Sequence, residues 1–267
     1  MALTKASLID LNGQELILDA DADTSITADT DDQIDIKVGG SDTVHMGLTT
    51  YNASDRIVLT NTSGNASMAI VAGTSGESSI FMADGTSGDA SYRGYLQYQH
   101  ANDNWNFGTA ATLAMKIDSA GHVTKPLQPA VLVTKSSSQL NIAVGSSVTQ
   151  VFDSEVFDVN GDFSSNTFTA PVTGKYLVNL QIRYQSIPTD VIYIQTYLAT
   201  SNGTRYMGLF GSGSSWFNSA ASYFRDGQSL VIDMDANDTF TVITVQSGGT
   251  QQIDIGQESY LSVALLS

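Results

Sequence analysis

TFTAPVTGKYLVNLQIRY, residues Thr167–Tyr184, is the stretch on which the fold turns. Its even positions are Phe168, Ala170, Val172, Gly174, Tyr176, Val178, Leu180, Ile182 and Tyr184. Its odd positions are Thr167, Thr169, Pro171, Thr173, Lys175, Leu177, Asn179, Gln181 and Arg183. Side chains alternate between the two faces of a strand, so this pattern predicts β structure with one face in a core and one in water. Proline donates no ladder hydrogen bond, and Gly174 follows three residues later. The run is therefore two strands joined by a corner, the second opening on an aromatic.

The same grammar extends outward in both directions. From 131 to 267, alternating segments recur at Gln139–Val144, Ser147–Phe152, Phe163–Ala170, Lys175–Tyr184, Val191–Ala199, Thr204–Phe210, Ser219–Phe224, Ser229–Met234, Thr239–Val245 and Glu258–Leu266. Close spacing and on-strand aromatics predict a β-sandwich of jelly-roll type. Lys125-Pro-Leu-Gln-Pro-Ala130 holds two of the four prolines and is expected to be a linker. Residues 51–124 carry apolar pairs at Ile57/Leu59, Met68/Ile70, Ile80/Met82 and Tyr95/Leu96 with Gly-rich turns between them, which predicts a quasi-repetitive β shaft.

Residues 1–50 are different in kind. Ten acidic residues lie between Asp10 and Asp42, opposed only by Lys37. Such a run can be disordered. Against that, Leu16/Leu18, Ile26, Ile34/Ile36 and Val44/Met46 recur at the length of a short strand plus a turn. A stack of short strands is the better fit. One copy buries little there; several copies side by side would bury an apolar column.

Composition limits the function classes. The chain has 267 residues, net charge −16, only 11 Lys+Arg, no Cys and 42% hydrophobic residues. Nucleic-acid binding needs cations to replace phosphate counterions, so nucleic acid is excluded as the expected partner, and an anionic membrane with it. Without Cys there is neither a disulfide framework nor a thiolate metal site. The start, MALTKASLIDLNGQEL, lacks the apolar core of a secretion signal, and no segment has the ~18 apolar residues of a membrane-spanning helix. An extracellular destination would thus fit a virus particle released by lysis.

Motif chemistry is sparse. His45, His100 and His122 fall in separate strand-like units, with no His-x-His or His-Glu-x-x-His spacing, so structural or surface roles are expected. Asp19, Asp21 and Asp23 share one face if the segment is a strand. An EF-hand starting at Asp19 would place Thr24 and Thr30 where Gly and Glu are required, so a solvated acidic face is expected, with a cation site as the alternative. No Gly-x-Ser-x-Gly elbow, P-loop or dinucleotide fingerprint occurs. Carboxylate pairs alone do not make a glycosidase, and no long parallel β-helix with a groove is visible. No enzyme, no cofactor and no metal are therefore expected. The segment Thr204–Phe224, TRYMGLFGSGSSWFNSAASYF, sets aromatics around a Gly/Ser loop. Rigid apolar rings beside short polar side chains suit glycan or protein contacts. Tyr206, Trp216, Phe217 and Tyr223 are the candidate receptor-binding residues; core or subunit packing is the alternative for the same rings.

Two resemblances add to this reading. Phe168-Thr-Ala-Pro-Val-Thr-Gly-Lys-Tyr176 resembles the Phe-x-Ala-Pro-x-x-Gly-x-Tyr corner of the C1q/tumour-necrosis-factor-like jelly roll. Asp226-Gly-Gln-Ser-Leu230 and Asn237-Asp-Thr-Phe240 fit that family's approach to a late strand, and Tyr260–Leu266 its closing strand. This covers 131–267 and implies a compact homotrimer used for recognition.

Gly94-Tyr-Leu-Gln-Tyr-Gln-His100, Asp103-Asn-Trp-Asn-Phe107 and Met115-Lys-Ile-Asp-Ser-Ala-Gly-His-Val123 resemble shaft segments of bacteriophage tail fibres, with Trp105 where Met is usual. Together the resemblances imply an all-β, homotrimeric virion appendage. It would have an Asp-rich β repeat for particle attachment (1–50), a β shaft (51–124), a linker (125–130) and a C1q-like jelly-roll head (131–267). The implied partners are self, other virion proteins through the amino-terminus, and a host-surface glycan or protein through the head. The leading expectation is a tail fibre or spike that binds a host receptor. The alternative is a trimeric capsid decoration (cement) or head-fibre protein that stabilises the shell.

Overall fold

A computed structural model of the chain describes residues 16–18, 25–27, 33–38, 41–47, 64–211 and 220–267. They form two compact units, Met1–Ala72 and Gly73–Ser267. The described secondary structure is almost entirely β, with a single 3-10 turn at Gly88–Tyr92.

In the first unit, β1 (Leu16–Ile17), β2 (Ser25–Thr27), β3 (Gln33–Val38) and β4 (Ser41–Gly47) pair in chain order as an antiparallel meander. The predicted apolar series becomes one row across the sheet: Leu16 opposite Ile26, Ile26 opposite Ile36, Ile36 opposite Val44, with Ile34 opposite Met46 alongside.

The second unit opens with another meander. It comprises β5 (Glu77–Met82), β6 (Gly94–Gln99), β7 (Asn104–Thr109), β8 (Thr112–Ile117) and β9 (Val123–Thr124), again in chain order. Met68 and Ile70, expected on a strand, lie in irregular backbone, and the pair Ile57/Leu59 lies outside the described residues.

The remainder is a sandwich of two sheets. Its strands are β10 (Ala130–Thr134), β11 (Ser147–Thr149), β12 (Ser154–Asp158), β13 (Phe163–Ser164), β14 (Thr167–Thr169), β15 (Gly174–Ile187), β16 (Val191–Thr200), β17 (Gly203–Phe210), β18 (Ala221–Met234), β19 (Thr239–Gly248), β20 (Asp254–Ile255) and β21 (Tyr260–Leu265). One sheet runs β12-β10-β21-β15-β18, with β20 on β15; the other runs β13-β14-β19-β16-β17, with β11 on β19. The antiparallel pairs are nested: β10 with β21, β14 with β19, β15 with β18, β16 with β17. A long hairpin folded over itself so that first pairs with last, second with next-to-last and so inward is a jelly roll. The expected all-β class with a jelly-roll sandwich is thus borne out.

The opening stretch does what its alternation requires. Phe168, Ala170, Tyr176, Val178, Leu180, Ile182 and Tyr184 are all buried in the single core between the sheets. Val172 is the exception, 45% exposed on the corner that carries the chain from one sheet to the other. The Tyr176 hydroxyl donates to the Val172 carbonyl at 2.6 Å and braces that corner. Phe168 packs edge-on against Tyr176 and tilted against Phe240, at centroid separations of 5.5 and 5.3 Å. Such ring pairs contribute about 0.5–1.5 kcal/mol each beyond the area they bury. Gly174 is required by close approach: a Cβ there would lie 2.6 Å from the Ser267 carbonyl oxygen.

Several strand boundaries differ from the expectation. Phe163–Ala170 is not one strand but a tight hairpin, because Ser165 and Asn166 take φ of 51° and 63° and reverse the chain. The Asn166 side-chain oxygen then accepts from the Phe152 backbone N–H at 2.8 Å. Of the expected strands Ser219–Phe224 and Ser229–Met234, residues 221–224 and 229–234 are two ends of the single strand β18, which stays paired with β15 through Asp226 and Gly227, while Ser219 lies outside the described residues. Gln139–Val144 makes only isolated bridges, from Gln139 to Ile255 and from Val144 to Gln246. Strands β10 and β12 were not among the expected segments.

Two buried polar groups shape the core. The Tyr184 hydroxyl meets Thr196 Oγ1 at 2.6 Å, and Thr196 Oγ1 meets Thr244 Oγ1 at 2.9 Å, a chain linking both sheets. Lys135, just after β10, is 5% exposed. Its ammonium donates to Gln139 Oε1 at 3.1 Å and to the Val151 carbonyl, and lies 5.3 Å from the centre of the Phe152 ring. Burial pushes its pKa down to about 8, with Asp153 pulling the other way.

Candidate functional site

The aromatics flanking the Gly/Ser loop divide by strand parity. Phe210, at the end of β17, and Phe224, on β18, turn inward and pack on the core, their rings edge-to-face at 4.5 Å. Tyr206 and Tyr223 turn outward and are 68% and 62% exposed. They do not share a surface, because β17 and β18 are edge strands of different sheets. Tyr206 sits edge-on to Tyr197 at 5.7 Å on the outer face of one sheet, where Tyr197 also meets Ser147 Oγ at 3.0 Å. Tyr223 lies on the outer face of the other. Trp216 and Phe217 fall outside the described residues, as do Asp19, Asp21 and Asp23.

Tyr223 has the more developed surroundings. Its backbone stands opposite Gln185, and Arg225 stands opposite Arg183. The Arg183 guanidinium carbon lies 4.0 Å from the centre of the Tyr223 ring, a cation–π contact. The same guanidinium donates through Nη1 to Glu258 Oε1. That hydrogen bond is the main reason the Glu258 carboxyl is held below its ordinary pKa, with the charges of Arg183 and Arg225 acting in the same direction.

Backbone geometry fixes Glu258 in place. The Gly256 N–H donates to the Arg183 carbonyl at 2.7 Å, and the Arg183 N–H donates to Ser259 Oγ at 2.9 Å. Ser259 Oγ in turn donates to the Gly256 carbonyl at 2.8 Å. In a chain this short of cations, two arginines in register beside a constrained carboxylate are a local feature with a defined orientation.

Beside Tyr223 opens a cleft of about 310 Å³ lined by Gln185, Ser186, Ala220, Ser222, Tyr223 and Gln251. Ser186 shapes its wall. Its φ of 57° lies within an unbroken register, with Gln185 opposite Tyr223 and Ile187 opposite Ala221. Its hydroxyl is tied to Asp254 Oδ2 at 3.1 Å. Among the described residues the lining is two amides, two serine hydroxyls, the methyl of Ala220 and the Tyr223 phenol. Such a set can stack on an apolar face and exchange hydrogen bonds with hydroxyls.

The sequence named Tyr223 but not Arg183, Gln185, Ser186, Gln251 or Glu258. Arg183 was visible as a wet-face residue of the opening run. Only the β15–β18 register brings it to Tyr223.

His100 and His122 have local partners, and the His45 side chain lies outside the described ones. His100 Nε2 lies 2.9 Å from Ser78 Oγ, and its ring stands edge-on to Tyr98 at 5.1 Å. His122 Nδ1 lies 3.0 Å from Asp118 Oδ2 across an exposed turn. Among the described residues no group of three or more His, Cys, Asp and Glu is arranged to hold a metal ion, and no helix is long and apolar enough to cross a membrane.

No known protein family matches the chain, and no curated protein matches it. It is similar to solved structures that include the globular domain of zebrafish complement 1qA protein. That likeness has 14% identity and a TM-score of 0.37, over 52% of this chain and 98% of that one. Murine APRIL is similar at 9% identity and a TM-score of 0.38 in its pH 8.5 crystal, over 52% of this chain and 99% of that one. Its pH 5.0 crystal gives 11% identity and 0.38 over the same shares. The jelly-roll assignment rests on the nested strand pairing and not on these likenesses.

Proposed function

We propose that this chain is a structural component of a virus particle, a homotrimeric appendage whose carboxy-terminal jelly roll binds a host-surface ligand. The observation that carries the reading is the cleft beside Tyr223. It combines an outward ring, in contact with Arg183, with amides and hydroxyls on the outer face of the sandwich. A hydroxyl-rich ligand such as a surface glycan fits that chemistry. Support for the particle context comes from the shaft-like motifs of Gly94–Val123 and from the two meanders that precede the sandwich. Three weak sites on one appendage, and several appendages on one particle, would hold a surface by avidity.

The test is adsorption in the presence of free full-length protein. Wild-type protein is expected to compete with particles for host cells, and Tyr223→Ala to compete at least ten-fold less well while keeping the same oligomeric state. Particle adsorption unaffected by the free protein would defeat the receptor-binding reading. In that event, loss of particle heat resistance on omitting the protein would establish the shell-stabilising role instead.

A further inference from the structure

The meander β5–β9 has one face that the chain itself leaves half-covered. Its registers line up two apolar rows. Ile80, Leu96, Phe107 and Met115 stand opposite one another in the first; Tyr98, Trp105, Ile117 and Val123 do so in the second. Met82 sits one strand-repeat beyond Ile80 on the same face. None of these nine residues is buried: Met82 is 58% exposed, Val123 55% and Trp105 40%. In the sandwich, by contrast, core-facing residues such as Val178 and Leu261 are nearly inaccessible.

The opposite face of the meander is polar and internally bonded. Gln97 Nε2 donates to Glu77 Oε2 at 2.9 Å, Asn106 Nδ2 to Gln97 Oε1 at 3.1 Å, and Asn104 Nδ2 to Asn106 Oδ1 at 2.9 Å. Lys116 is also on that side, as are the two aromatic exceptions, Phe81 and Tyr95; the Tyr95 ring lies against Gly108. A sheet face this apolar requires a second layer.

We infer that the apolar face of β5–β9 is covered by the same face of other copies of this chain. The inference rests on the homotrimeric reading above and names its contact surface. Two features point to self and not to a foreign partner. None of the nine side chains is charged, and the Asp103 carboxylate that accepts from the Tyr98 hydroxyl at 3.2 Å lies at the end of the second row, so copies with a net charge of −16 bring few like charges together there. The area is also sufficient. Nine side chains at these exposures leave on the order of 600 Å² per copy, so a pair of faces buries about 1,200 Å², the lower end for stable association.

The absence of cysteine supplies a clean probe. Met115 and Lys116 are neighbours on opposite faces and are both half-covered in the single chain. Met115→Cys and Lys116→Cys, each made in the full chain, are labelled with a maleimide while light scattering reports the oligomeric state. In the trimer, Met115→Cys is expected to react at least ten-fold more slowly than Lys116→Cys, with the rates converging in urea.

Equal rates in a trimer would overturn this surface while leaving the trimer intact. A monomer with Met115→Cys protected would show that the chain covers its own face, and would overturn the inference too. A monomer with equal rates would remove both readings. Should Met115→Cys fold poorly, Ile80→Cys against Ser79→Cys asks the same question at the edge of the sheet. Ile80 is the more exposed of the two in the single chain, so its slower labelling would be diagnostic.

Discussion

Lys135 gives the most demanding test of the core. An ammonium 5% exposed is an unusual occupant of a β-sandwich, and its pKa falls from the usual 10.5 to about 8 because burial disfavours the charge. Below pH 8 both folded and unfolded chains carry the proton, and the folded state bears the full cost of the buried charge. Between pH 8 and 10.5 the unfolded chain binds more protons than the folded one, so stability rises with pH. The complete gain is about 3 kcal/mol, of which about 2 kcal/mol is present by pH 9.5.

Lys135→Met keeps the length of the side chain and removes the titration. Urea unfolding of wild type and Lys135→Met, at one protomer concentration and constant ionic strength, is followed by backbone circular dichroism from pH 7 to 9.5. Tyrosines and other groups common to both proteins cancel in the difference. Wild type is expected to gain about 2 kcal/mol on the variant across that range. A difference that stays constant would refute the reasoning. It would mean that Gln139, the Val151 carbonyl and the Phe152 ring stabilise the ammonium as well as water does.

Three further outcomes follow from the geometry. Thr196→Val removes the middle of the Tyr184–Thr196–Thr244 chain and is expected to cost about 2 kcal/mol, against about 1 kcal/mol for Tyr184→Phe, which leaves the Thr196–Thr244 bond; melting temperatures separate the two. Gly174→Val places a side chain against the Ser267 carbonyl and Leu265, so β21 is expected to lose amide-exchange protection before β16 does. Asn166→Ala loses both the bond to the Phe152 N–H and a residue type that tolerates positive φ, for a loss of about 1–3 kcal/mol by denaturant titration.

Burial periodicity was the legible part of the fold. Thr167–Tyr184 alternates so regularly that strand type and buried face were available without coordinates, and the series from Leu16 to Val44 marks the strands that pair as β1–β4. Tight turns were less so. Ser165–Asn166 lacks glycine and proline, so a hairpin passed for one strand, whereas the Asp226–Gly227–Gln228 signal inside β18 looks like a turn and is held straight by its long pairing with β15. Short strands such as β10 and β12 carry little periodicity of their own and exist because neighbours offer them an edge. The candidate site shows the same division. An exposed ring at Tyr223 could be picked from composition. The cleft beside it depends on which strand lies next to β18 and on the positive φ of Ser186, and neither is legible from the local sequence.

The nested pairing has a consequence in time. Val131 pairs with Val263, about 130 residues further along the chain. At a synthesis rate of ~5–20 residues per second, roughly 7–25 seconds pass between the appearance of the first strand of the sandwich and that of its partner. During that interval β15 also lacks β21, which lies between it and β10 in the finished sheet. Apolar strand edges therefore wait unpaired on the ribosome, and closing such long loops is itself slow. The yield of correctly folded protein should depend on elongation speed and on holding chaperones far more than its finished stability would indicate.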